Sequence, residues 1–341
     1  MDNKQVSSKS PAAGVFAAEG AAPKPPAAGA SCANAPHAAP GPVSKPQKPG
    51  LRRRCIQLAA ALLYNANLPG FASGSIYQGE LKGLCVPGLN CYSCPGAVAA
   101  CPLGALQNAL GALPNKLPLY IAGFILLAGG LLGRVICGFA CPFGLIQELL
   151  HKLPGKKLQK GRWSRRLAPL KYIILAVFVA LLPLWYAFAK GMPVPAFCKY
   201  ICPAGTLEGG WPLMALRPDY RALAGALFGW KTLLCLAILA ACVFIYRAFC
   251  RFLCPLGAIW GLFSRLALLA VRVDKNLCIG CGRCVRQCKL DIRHVGDAEC
   301  IQCGECAGCC PTGAISFSFK LAGENTGQKD SPTHPKKETT S

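Results

Sequence analysis

Charge is scarce in this chain, and negative charge is scarcest. Only 15% of the 341 residues are charged, with 14 Asp and Glu against 37 Lys and Arg, a formal net charge of +23. With 53% hydrophobic residues and a mean hydropathy of +0.38, an ordinary soluble domain is excluded and a bilayer becomes the expected solvent. Histidine is almost absent. None of His37, His151, His294 and His334 lies inside an apolar run, and no Cys-x-x-Cys-His attachment site occurs, so no haem is expected. No array of Asp, Glu or His crosses the apolar stretches, which removes support for a proton or ion pump. The basic excess suits anionic lipid or an acidic partner rather than nucleic acid.

Cysteine is what the chain has in abundance, 23 of them. Near the end runs Cys278-x-x-Cys281-x-x-Cys284-x-x-x-Cys288, followed by Cys300-x-x-Cys303-x-x-Cys306-x-x-x-Cys310-Pro311. Three closely spaced thiolates wrap three irons of a cubane, and the fourth cysteine of each run reaches to the other cluster. This arrangement assigns Cys278, Cys281, Cys284 and Cys310 to one [4Fe-4S] cluster, and Cys300, Cys303, Cys306 and Cys288 to a second. Two zinc sites built from the same pairs would leave the three-residue gaps unexplained.

The turn after Cys310, Pro-Thr-Gly-Ala-Ile, has four echoes upstream: Cys101-Pro-Leu-Gly, Cys141-Pro-Phe-Gly, Cys202-Pro-Ala-Gly and Cys254-Pro-Leu-Gly. Cys137, Cys198 and Cys250 precede three of these by four residues. The stretch from Arg134 to Cys141-Pro142 parallels that from Arg247 to Cys254-Pro255, the mark of a membrane protein in two related halves. Each proline suits the first turn of a helix and sets its cysteine near an N-cap, where free N–H groups favour a thiolate. Two readings follow for each group. Cys137, Cys141, Cys250 and Cys254 form either a third, inner cluster or redox-active dithiols. Cys198, Cys202 and Cys101, with Cys94 or Cys91, form either an outer cluster or disulfides. Cys235 and Cys242, seven apart on one helical face, read as packing residues. Residues 142–153 and 255–273 are expected either to lie along the interface or to re-enter between helices.

Hydropathy gives the organisation. Residues 1–50, rich in Ala and Pro, read as a disordered tail, and 320–341 as a polar one. Between 51 and 273, four membrane segments are expected: a weak one from Cys55 to Gly79, then Leu117–Gly133, Tyr172–Ala189 and Thr232–Tyr246. Eight basic residues between 142 and 171, with Arg52, Arg53 and Arg54, place both termini in the cytoplasm by the positive-inside rule. The fold class is therefore a mainly α integral membrane protein of about four transmembrane helices, with a small α+β ferredoxin-like domain over 274–319.

At Arg134–Ile146, Arg247–Ile259 and Cys278–Pro311 the chain resembles the membrane polyferredoxins typified by NapH, with MauN, NosR and the CcoG group as relatives. The segment Cys85-Val-Pro-Gly-Leu-Asn-Cys91-Tyr-Ser-Cys94-Pro resembles a branch of 4Fe-4S binding membrane proteins. The resemblance implies an inner-membrane protein with two cytoplasmic clusters, passing electrons toward a quinone pool or an outer-face redox protein. No flavin-attachment domain is recognisable, so no flavin is expected. From the residues themselves follow a single-electron carrier role and an acidic partner carrier, ferredoxin or flavodoxin, docked by Arg283, Arg286, Lys289, Arg134 and Arg247. The competing reading is a thiol-disulfide or metal-ion reductase using the outer cysteines.

Overall fold

The computed structural model describes residues 49–113, 117–158, 160–222 and 224–319. The tails expected at 1–50 and 320–341 lie outside these residues, apart from the last two of the first. Among the described residues two helices are long and apolar enough to cross a membrane, Trp163–Lys190 and Ala226–Phe244. Only 22% and 17% of their apolar windows is buried inside the protein, so their Leu, Ile, Phe and Trp side chains face outward. A core helix of a soluble protein would bury that surface; these expose it as lipid-facing helices do. The other two expected segments form shorter helices, Leu119–Leu131 and Pro49–Tyr64. The second of these stops at Tyr64, where Asn65 and Asn67 turn the chain before Pro69 opens a separate short helix.

Four shorter helices begin at the Cys-Pro repeats: Pro102–Gly111, Pro142–Leu150, Pro255–Phe263 and the run over residues 203–216. Proline occupies the first turn in each, where its missing N–H costs nothing. These helices go inward. Seven residues of Pro255–Phe263, Trp260 among them, are buried among the other helices. The long helices position them. Pro255–Phe263 packs against the first half of Trp163–Lys190 and Pro102–Gly111 against its second half. Likewise Ala226–Phe244 meets residues 205–210 on one side and Pro142–Leu150 on the other.

The ferredoxin-like part carries a two-stranded antiparallel sheet, β1 (Leu269–Val273) with β2 (Ile315–Phe319), in register Leu269 to Phe319. This sheet draws β1 into the unit, five residues ahead of the expected start at 274. Its contact with the helices is extensive and ionic. Lys171 Nζ bonds both oxygens of Glu299 at 2.5 and 2.6 Å, Arg53 Nη2 donates to Glu305 at 2.9 Å, and Arg251 pairs with Asp291. One apolar core runs through both parts, from Leu89 and Phe143 to Leu290, Ile292 and Ile301.

Candidate iron-sulfur sites

Sixteen cysteines from distant stretches gather into four groups of four. At the first ferredoxin site Cys278, Cys281, Cys284 and Cys310 line one cavity with Ile279, Pro311 and Ile315. At the second, Cys288, Cys300, Cys303 and Cys306 lie close enough for every pair of sulfurs to interact electrostatically. Both sets are the ones expected from the crossed pattern of the two runs. Left-handed backbone at Gly280, Gly282 and Gly304 lets the loops curl, a conformation that costs other residues dearly.

The third group is assembled across the two halves. Cys137, Cys141, Cys250 and Cys254 line one cavity of about 340 Å³ of empty space, its open side included, closed by Gly88, Leu89, Arg134, Trp260 and Ile301. The backbone N–H of Gly257 donates to Cys254 Sγ at 3.3 Å, and that of Leu89 to Cys141. Burial pushes the Cys137 and Cys141 thiols up, Cys141 to about 12. The hydrogen bond from Cys254 draws Cys250 down to about 6 against burial, with help from Arg247. The Cys250–Cys254 pair thus shares one readily lost proton, and thiolate is the form that binds metal.

The fourth group is Cys91, Cys101, Cys198 and Cys202, in which every pair again interacts. Of the two candidates left open by the sequence, Cys91 interacts with Cys101, Cys198 and Cys202, while both Cys91 and Cys94 interact with Lys82 and Glu208; Cys91 is therefore taken with the fourth group. This group is not an exposed surface patch. Cys101 and Cys202 are buried, and none of Cys91, Cys94, Cys101, Cys198 and Cys202 is disulfide-bonded. The third and fourth groups are neighbours. The N–H of Asn90 reaches Cys101 while that of the adjacent Leu89 reaches Cys141. Along Ala226–Phe244, Cys235 Sγ bonds Pro203 O beside one group and Cys242 Sγ bonds Gln147 Oε1 beside the other. Seven residues of helix put these levels about 10 Å apart.

Among the described residues no three His, Cys, Asp or Glu side chains approach closely enough to share a single metal ion. A multi-iron cluster takes one iron per thiolate with sulfides between, and two of the four groups line a cavity. The third cavity fits an anionic cluster on a further ground. Trp260 Nε1 and Arg134 Nε are buried donors without a hydrogen-bond partner, and both residues line it. An orphaned buried donor is costly unless something accepts from it.

One expectation needs correction. Arg134 and Arg247 do not dock a partner: they are 2% and 0% exposed and pair with Glu299 and Glu148. Their positive charge is spent on buried ion pairs beside sulfur rather than on the surface. Arg286 and Lys289 remain exposed, and Arg283 half-exposed. Glu148 was missed in the sequence. It accepts from Arg53 at 2.7 Å, Arg247 at 2.9 Å and Tyr246 at 2.9 Å; burial would raise its carboxyl, but the two guanidiniums hold it at about 2. Glu208 was missed as well. It accepts from Cys91 N–H at 2.7 Å, and burial lifts its carboxyl to about 7.

A model described as a 4Fe-4S binding domain matches residues 117–161, 171–211 and 228–274, one copy around each Cys-x-x-x-Cys-Pro motif. A second model of the same description matches 271–292. An uncharacterized protein of Methanocaldococcus jannaschii, MJ0750, is 30% identical over 63% of this chain and 82% of its own length. The putative electron transport protein YccM of Escherichia coli is 28% identical over 68% of this chain and 66% of its own. The methylamine utilization ferredoxin-type protein MauN of Paracoccus denitrificans is 29% identical over 70% and 75%. Another uncharacterized relative from M. jannaschii, MJ0749, is spanned over 65% of its length, just under two thirds. No solved structure matches.

Proposed function

The chain belongs to the family of ferredoxin-type 4Fe-4S electron-transport proteins, and on that premise we propose that it is a membrane relay carrying single electrons through four [4Fe-4S] clusters. When bound, such clusters each take up and release one electron without breaking a bond. The chain's own residues do the rest. The observation that carries this reading is the adjacency of the four cysteine groups. A Cβ on Gly138, one residue after Cys137, would meet Ile301 O at 2.5 Å and Cys303 Cα at 3.7 Å, so the second ferredoxin site abuts the Cys137 site. The successive backbone N–H groups of Leu89 and Asn90 in turn reach one interior site each.

In this reading the protein is a multi-pass inner-membrane protein with four spans and cytoplasmic termini. Arg286 and Lys289 face the cytoplasm beside the ferredoxin loops, a surface suited to an acidic ferredoxin or flavodoxin. The carrier gives up one electron for each that reaches the acceptor, a quinone or an outer-face redox protein. Arg134, Arg247 and Lys171 hold positive charge near the third site and favour its more negative, reduced state. The thiol-disulfide alternative needs an accessible pair, and burial of Cys101 and Cys202 speaks against it. Iron and sulfide analysis of anaerobically purified protein tests the relay. About sixteen irons per chain are expected, and about eight would leave only the ferredoxin clusters and overturn the interior pair.

A further inference from the structure

We propose that Gln107 and Gln147 are a matched pair of positioning residues that set the reduction potentials of the two interior sites, each by donating an amide N–H to one ligand sulfur. The inference rests on the cluster reading above and asks what tunes those clusters. Each glutamine stands six residues after its Cys-Pro cysteine, in Cys101-Pro-x-Gly-x-x-Gln107 and Cys141-Pro-x-Gly-x-x-Gln147. Both are fully buried.

The hydrogen bonds repeat from one site to the other. The backbone N–H of Phe197 donates to Gln107 Oε1 at 2.9 Å, and that of Phe249 to Gln147 Oε1 at 3.1 Å. A backbone N–H can only donate, so each carbonyl oxygen is pinned toward phenylalanine and each NH2 is turned the other way. There Gln107 Nε2 reaches Leu103 O at 3.2 Å and Cys198 Sγ at 3.2 Å. Gln147 Nε2 reaches Phe143 O at 3.3 Å and Cys250 Sγ at 3.0 Å. A flipped amide would turn its own NH2 toward the buried phenylalanine N–H and leave that donor unpaired.

A purely structural glutamine would tie the halves together through the phenylalanine N–H alone. The second proton instead goes, in both sites, to the first sulfur of the opposite half's Cys-x-x-x-Cys pair. Hydrogen bonds to cluster sulfurs are one of the levers by which a protein sets cluster potential. An N–H···S contact stabilises the more negative state, so it raises the potential of the site it serves. The cross-half contact also makes that potential depend on how the two halves dock.

The test is an EPR-monitored reductive titration of full-length, anaerobically purified protein. Methionine keeps the volume of glutamine and removes its donor and acceptor. Gln147→Met is expected to lower the midpoint of one interior centre only, Gln107→Met that of the other, and the double variant to lower both. Unchanged midpoints in both single variants, or an equal shift of all centres, would overturn the inference. Should a methionine variant lose its centre, Gln147→Leu and Gln107→Leu decide, since they remove the donor without adding a charge that would itself move the potential. A lowered midpoint there supports the inference and an unchanged one overturns it. Wild-type protein with only about eight irons would instead defeat the cluster reading itself.

Discussion

The sulfurs of Cys137, Cys141, Cys250 and Cys254 sit beside Arg134 and Arg247, with Glu148 bound to the second guanidinium. Those of Cys91, Cys101, Cys198 and Cys202 sit beside Glu208 and Lys231. Both sites have the same scaffold: two Cys-Pro helices entering from opposite copies, a glutamine bonded to sulfur, and a phenylalanine N–H bonded to the glutamine. What differs is the charge placed around it. A duplicated frame can thus hold two like cofactors at unlike potentials, because electrostatics in a dry interior depends on a few nearby groups.

The comparison can be broken most sharply at the sulfurs. Cys254→Ala and Cys202→Ala should each remove one interior centre, about four irons per chain, while the EPR signal of the other persists. Loss of both centres from either change would mean that the sites are not independent. A smaller effect is expected at Glu148, which has no counterpart at the other site. Glu148→Gln leaves Arg247 buried without its counter-charge and Arg53 with Glu305 alone, and should cost about 3–5 kcal/mol in denaturant titrations. The carboxyl is held low in the folded state, so its contribution is complete above the ordinary carboxylate range and fades as pH falls toward 2. Stability that instead grew with acid would contradict the assignment.

Gly88 separates the sites by packing. A Cβ there would meet Ala140 O at 2.6 Å and Cys141 Cα at 3.3 Å, so Gly88→Ala should strain the Cys141 loop at about 1–3 kcal/mol. The EPR line shape of the Cys141 centre should change more than that of the Cys101 centre. The smallest effect is expected at Cys94. Cys94→Ser should leave iron content unchanged, because Cys91 completes the fourth group; a loss of four irons would reverse that choice.

Much of this was readable before any coordinates. The two groupings of ferredoxin cysteines were expected from spacing, since loops of two residues between cysteines leave few ways to wrap one cubane. The pairing of Cys137 and Cys141 with Cys250 and Cys254 followed from repetition of a longer motif. A further repeat went unread: Ala196-Phe-Cys198 and Ala248-Phe-Cys250 match, as do Gln107 and Gln147, which shows each site to be one glutamine-bearing copy plus one phenylalanine-bearing copy. Extending the Cys-Pro alignment by a few residues would have found it. The choice of Cys91 over Cys94 had no such signal, because both stand in one short loop and only its path past Asn90 distinguishes them. Arg134 and Arg247 were misread as surface charges because a sequence gives charge without depth. The hydropathy runs marked two long helices well, while Asn65 and Asn67 ended the first run as a helix at Tyr64.

By itself the sequence determined the chemistry on offer: which sulfurs can bind iron, and which repeated motifs carry them. Those properties are carried by residue type and local spacing, which the chain cannot alter by folding. Only the tertiary structure decided neighbourhood: that the Cys101 group lies buried about one heptad of helix from the Cys137 group, that Ile301 brings the ferredoxin loops against it, and that two glutamines reach across halves to sulfur. Contacts between residues ninety or a hundred positions apart arise from the packing of whole helices, and no local pattern encodes them.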